Sequence, residues 1–131
     1  MAVEIFNPDT VHDTGEKGYS HAARMGDLIF LAGQVALDRD GNIVGKGDIE
    51  AQSEQIFRNM ESVLVAAGSS LSRVGKLTTF ITDEAYIVPS RKVRNRVFAE
   101  AGIRPPNTLL IISGLADPDF LIEIEAVASV A

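Results

Sequence analysis

Apolar and polar residues alternate with a period of two near the end of the chain. From Leu121 to Val130 the even positions are Ile122, Ile124, Ala126, Ala128 and Val130, while the odd positions include Glu123 and Glu125. Side chains two apart on a strand share a face, so the segment predicts a strand with one apolar face and one that carries two carboxylates. Leu109 to Ile112 is an unbroken apolar run, the pattern of a strand buried on both faces, and these two segments read as strands joined by a turn. Upstream, Ile49, Ile56, Met60, Val63, Leu64 and Ala67 recur at helical spacing. They predict a helix from about Asp48 to Ala67, with Asp48 as N-cap and Gly68 as the stop. A second helix begins between Glu84 and Ser90, because Pro89 is tolerated only in a first turn. Val93, Val97, Phe98 and Ala101 form its inner side, and Gly102 ends it. Val3 to Phe6, Gly18 to Met25, Leu28 to Gln34 and Lys76 to Thr82 read as further strands, the second and third as a hairpin about Gly26-Asp27. Leu37 to Gly47, with Asp40-Gly41, reads as a hairpin loop.

The order is strands, helix, strand, helix, strands, an α+β domain over residues 1–131 with a mixed sheet of about six strands. Two helices cover one face of such a sheet and cannot cover both. The second face therefore needs another cover, and the simplest is another copy of the chain.

Composition narrows the chemistry. With 131 residues and 46% hydrophobic content, one domain with a proper core is expected. A net charge of −6 argues against a general nucleic-acid binder, which needs a basic surface. The absence of cysteine excludes a disulfide, a thiolate nucleophile and a cysteine metal site, and fits a reducing cytoplasm, the expected location. Met1 to Pro8 lacks the pattern of a signal peptide, and no apolar run is long enough to span a bilayer. Residues 41–47 carry glycines and a lysine without the spacing of a phosphate-binding loop. His12 and His21, with scattered carboxylates, make no metal constellation, so no metal or cofactor is expected. His21 lies two residues after Tyr19 and, as a strand neighbour, would share its face; a surface or interface position is the plainer expectation for it.

Several short motifs, taken together, resemble the RidA/YjgF family, also called L-PSP proteins. They are Gly18-Tyr19, Met25-Gly-Asp-Leu-Ile-Phe-Leu-Ala-Gly-Gln34, Ala66-Ala-Gly68, Lys76-Leu-Thr-Thr-Phe80, Arg104-Pro-Pro-Asn-Thr108 and Ile122-Glu-Ile-Glu-Ala126. They occur in family order over nearly the whole chain. The resemblance implies a chorismate-mutase-like α+β fold with two helices on one face of the sheet. It also implies a homotrimer whose sheets line a central barrel, with ligand clefts between neighbouring subunits. The activity it implies is hydrolysis of reactive enamines and imines to 2-keto acids and ammonia, so the implied partner is a small carboxylate, imine or carbonyl metabolite. Nuclease or translation-inhibitor activity, claimed for some relatives, is disfavoured by the acidic balance.

Carried over residue by residue, the resemblance places Tyr19 on a cleft tyrosine, Gly33 on a glycine whose backbone approaches the ligand, and Glu123 on the glutamate that positions water. Thr108 matches a position usually Ser or Thr. The departure is Asn107, which stands where the family carries the arginine that clamps the substrate carboxylate. Asparagine donates hydrogen bonds but has no charge, and loss of a charge-assisted clamp lowers affinity or rate roughly a hundredfold. Standard 2-imino acid deaminase activity is therefore doubtful, and a non-catalytic member that binds a metabolite or a protein is the alternative. Arg91, near a cleft-bordering family position, and Arg104, just before the prolines, are candidate substitutes for the clamp. For Arg91, Arg94 and Arg96 the plainer reading is a solvated helix face. Glu123 and Glu125 likewise admit a solvated strand face or a cleft.

Overall fold

The first helix, α1 (Ile49–Ala66), begins where Asp48 stops the preceding loop: the Asp48 carboxylate accepts a hydrogen bond from the Ala51 backbone N–H at 3.0 Å. It ends at Gly68, whose φ of 83° is open to glycine at little cost. In this computed structural model, which describes residues 2–131, the remaining elements are β1 (Val3–Phe6), β2 (Ala22–Met25), β3 (Leu28–Gln34), β4 (Val74–Ile81), α2 (Ile87–Ala101), β5 (Asn107–Ile111) and β6 (Ile122–Ser129). Pro89 falls in the first turn of α2, and Gly102 closes it at φ 77°.

The strands form one sheet in the order β1-β2-β3-β6-β4-β5, antiparallel except for the β4–β5 pair. Thus β5 and β6 are not neighbours, as their proximity in sequence suggested; β4 lies between them. Strand β5 is an edge strand, and Leu110 and Ile111 are 43% and 52% exposed. Its apolar run does not reflect burial on both faces within one chain.

Both helices pack on the same side of the sheet. Ile29 and Leu31 of β3, Leu77 and Ile81 of β4, and Ile122, Ile124, Ala126 and Ala128 of β6 join Ile56, Met60, Val63 and Leu64 of α1 and Val93 and Phe98 of α2 in one core. Phe57 and Phe98 lock the helices together edge to face, with centroids 5.6 Å apart. The opposite side has no helix. Register places Val3, Met25 and Leu28 across from one another there, and likewise Ile5, Ala23 and Phe30. Val3, Ile5, Met25, Leu28 and Phe30 are all exposed.

Between β1 and β2 the chain buries both histidines, against the expectation of a surface or interface site for His21. The His21 ring donates through Nε2 to the His12 carbonyl at 2.8 Å and accepts through Nδ1 from Gln34 Nε2 at 3.2 Å. The two imidazoles meet edge to face at 4.8 Å. His12 is buried with neither ring nitrogen hydrogen-bonded among the described residues. Burial first, then the proximity of His21 and Lys17, lowers its pKa from 6.5 to about 4. The unfolded chain therefore takes up this proton before the folded one does. Stability from His12 is complete above about pH 6.5 and is lost as the pH falls toward 4. Thermal melts should show a midpoint that drops across this window, and His12→Phe should flatten the drop. An unchanged pH slope in the variant would remove His12 as its source.

Candidate functional site

Glu123 is the second residue of β6 and projects onto the uncovered face, opposite Phe80 of β4. On its other side β3 shifts register against β6 between Leu31 and Gln34, and Gly33 lies within that shift. A Cβ added to Gly33 would sit 2.7 Å from Glu123 Cδ and 2.9 Å from Cγ. Glycine leaves room for the carboxylate arm, which any side chain at this position would push aside. Irregular pairing of this kind re-aims neighbouring groups. The Glu123 carboxylate has no hydrogen bond or ion pair among the described residues. Its half-burial, and then the charge of Glu125, raise its pKa above the usual carboxylate value.

Tyr19 lies in the loop before β2, outside the strand expected for it. Gly18, in the left-handed region at φ 79°, turns the chain, and Thr14 Oγ1 donates to the Tyr19 carbonyl at 2.6 Å. The phenol is 40% exposed. Its pKa is raised by burial and then by the charge of Glu123, so these side chains share one electrostatic environment. Gly33 and Glu123 are thus in contact within one chain, and Tyr19 lies near enough for the carboxylate charge to reach its phenol.

Asn107 does not join them. It opens β5 opposite Leu77 and points to the helix side, where its Oδ1 accepts from Thr79 Oγ1 at 2.8 Å. Thr108 projects the other way and receives Lys76 Nζ at 2.5 Å. Asn107 instead lines a cavity of about 450 Å³ between α2 and β5, together with Arg94, Phe98, Ile103, Arg104 and Pro105. Arg91 is exposed and lies outside this lining. Of the two substitutes expected for the missing clamp, only Arg104 reaches the cavity.

Arg94 was missed as a site residue. Its spacing contained the signal: it precedes Val97 by three residues and Phe98 by four, so it borders the buried stripe of α2. Burial, and then Arg91, lower its guanidinium pKa. Thr79 was also passed over as an ordinary strand residue, yet it is buried and holds the Asn107 amide. No group of three or more metal-ligating side chains exists among the described residues.

The coupling between Tyr19 and Glu123 is measurable. In a Tyr86→Phe background Tyr19 is the only tyrosine. Its ultraviolet titration should lie above the ordinary phenol value and move down when Glu123→Gln removes the carboxylate charge. An identical titration in both chains would separate the two groups. Gly33→Ala should lower the thermal midpoint, by roughly 1–3 kcal/mol for a forced overpacking, and Glu123→Ala should restore part of the loss.

The comparisons with known proteins bear on family and fold. Residues 12–130 match the family described as "Endoribonuclease L-PSP". A RutC family protein of Pyrococcus horikoshii is 36% identical over 110 residues, covering 84% of this chain and 85% of that protein. The yeast YEO7 structure superposes with a TM-score of 0.91 at 28% identity, over 99% of this chain and 100% of the other. Escherichia coli TdcF, solved with bound serine, gives 0.88 at 26% identity over 98% and 99%. Motifs, sheet order and these similarities converge: the chain belongs to the L-PSP family, the RidA/YjgF group of proteins.

Proposed function

We propose that this protein binds a small metabolite with an imine, enamine or carbonyl group in a cleft completed by a second copy of the chain, and hydrolyses the imine there. The observation that carries the reading is Glu123: a half-buried carboxylate of raised pKa, without a protein partner, beside Tyr19 and the bare backbone at Gly33. A carboxyl shifted upward holds its proton more readily than an ordinary glutamate, which suits a group that takes and returns one.

The chemistry follows from that placement. Water held by Glu123 adds its oxygen to the imine carbon, the C=N π pair moves to nitrogen, and the carboxylate takes the water proton. That proton passes to the nitrogen, the hydroxyl proton follows it by way of the carboxylate, and the C–N bond breaks, so that ammonia leaves as the remaining C–O bond becomes a carbonyl. Tyr19 hydrogen-bonds the ligand, the Gly33 backbone approaches it, and Asn107 at the edge strand of an adjoining copy completes the cleft, while Thr108, on the other side of that strand, is engaged by Lys76. The serine in TdcF is an amino acid, in keeping with a small ligand derived from one.

The assembly in this reading is a homotrimer with the uncovered faces turned inward. Each large apolar side chain taken from water contributes about 1.5–3 kcal/mol, and Val3, Ile5, Leu28 and Phe30 are exposed in the single chain. Asn107, bonded to Thr79 and uncharged, supports the alternative of a binding member without catalysis.

Two measurements test the proposal. Sedimentation should give a trimer, and Phe30→Glu should release monomers; a wild-type monomer at micromolar concentration would end the shared cleft. With 2-iminobutanoate generated in situ, the protein should accelerate decay, and Glu123→Ala should lose roughly a hundredfold or more of it. No acceleration by a folded trimer would leave the binding reading in place of the catalytic one.

A further inference from the structure

Apart from the exposed Arg91, the cations of α2 and of the loop that follows it divide into two sets. On the side facing α1, Lys92 pairs with Glu50 at 3.1 Å and Arg96 with Glu54 at 2.6 Å. On the side facing β5, Arg94 and Arg104 have neither an ion pair nor a hydrogen bond among the described residues. Both line the cavity of about 450 Å³ whose other walls include Phe98, Ile103 and Pro105, and no carboxylate lines it. Thr79 fixes Asn107 through Oδ1, which leaves the Asn107 Nδ2 hydrogens to donate elsewhere. The cavity therefore presents donors and positive charge against apolar walls, and the side-chain acceptors along its lining are the uncharged amide oxygens of Asn95 and Asn107, the latter already held by Thr79.

We propose that the cavity between α2 and β5 is an organic-anion site, in which Arg94 and Arg104 hold a carboxylate, the Asn107 amide donates to it, and Phe98, Ile103 and Pro105 pack against its apolar body. Guanidinium groups match a carboxylate through paired hydrogen bonds. The three apolar walls select a ligand with a carbon body over a bare inorganic anion. Withdrawal of Arg94 from water strengthens its attraction for such a partner. The charge absent at position 107 is thus supplied from the neighbouring helix and from the residue three positions upstream. This inference rests on the proposed function only in assigning the carboxylate to the metabolite of that cleft; the binding itself is a property of the residues around one cavity.

Binding without turnover tests it. The wild-type protein is titrated with 2-oxobutanoate, with the uncharged 2-oxobutanamide, and with inorganic phosphate, by calorimetry and by amide chemical shifts. The expected result is binding of 2-oxobutanoate with shifts at residues 94, 98, 104 and 107, and binding of the amide and of phosphate weaker by about tenfold or more. Arg94→Gln and Arg104→Gln should each weaken 2-oxobutanoate about tenfold or more, while Arg73→Gln, remote from the cavity, should not. Arg94→Lys should recover part of the loss, which a purely structural role would not predict. Equal affinity in Arg94→Gln and wild type, equal affinity for acid and amide, or preference for phosphate would each overturn the proposal. Glu123→Gln separates it from catalysis: retained affinity with no imine hydrolysis by any chain would sink the reaction and keep this site. Hydrolysis that is indifferent to Arg94 and Arg104 would keep the reaction and sink the site.

Discussion

A six-stranded sheet with both helices on one side has one covered face and one bare face, and the rest of this molecule follows from that asymmetry. The covered face gathers Ile29, Leu77, Ile81, Ile122 and Ile124 against α1 and α2 with essentially no exposure. The bare face is still apolar along β1, β2 and β3, where a sheet facing water alternates with polar residues. Toward β6 and β4 it changes character, with Glu123, Glu125, Lys76 and Thr78 on the same side. Apolar strands and a polar strip on one uncovered surface are what the proposed shared cleft would require: a contact area beside a polar site.

Glu123 sits where those two regions meet, and its environment explains its chemistry. Desolvation disfavours the charged form, Glu125 disfavours it further, and no cation within the chain opposes them. Such an arrangement costs stability unless it serves a purpose. Gly33 makes it possible, because any larger residue would displace the carboxylate. The register shift that holds Gly33 is supported from behind: Gln34 reaches His21, His21 reaches the His12 carbonyl, and Ala32 N–H donates to the His21 carbonyl at 2.8 Å. The buried histidines therefore brace the strand that carries the close approach, and their role is positional.

Much of this was legible from periodicity. The Ile122 to Ala128 alternation identified the buried face of β6, and Asp48, Gly68 and Gly102 marked the helix ends. Adjacency was not legible. The chain runs from β5 directly toward β6, yet β6 inserts between β3 and β4, because pairing depends on contacts far apart in sequence. The apolar run of β5 misled for a related reason: within one chain it is an edge strand whose Leu110 and Ile111 stay exposed, so an apolar run does not by itself mean burial on both faces. Among site residues, motif position located Tyr19, Gly33 and Glu123 together. It did not show that Asn107 faces the opposite side of the sheet, since that depends on the parity of β5 against β4.

That parity changes what the substitution at position 107 means. A clamp residue can be lost without its site being lost if the charge moves to another wall of the same cavity. The Asn107 side chain is not idle, since Thr79 orients it and the cavity between α2 and β5 opens beside it. Across α2, glutamates of α1 neutralise Lys92 and Arg96, so the helix can hold Arg94 unpaired without loss of its anchorage. Retaining the unpaired, half-buried Arg94 guanidinium is unfavourable in the free protein, because burial and then the charge of Arg91 both oppose its charged form. An anion bound between Arg94 and the exposed Arg104 would offset that cost as it binds. The same physical logic governs both ends of the molecule: Glu123 lacks a cation, Arg94 and Arg104 lack an anion, and the chain keeps them apart on opposite faces of its sheet. A single ligand could meet both sets only across a contact between copies, which is the arrangement that the proposed assembly would supply.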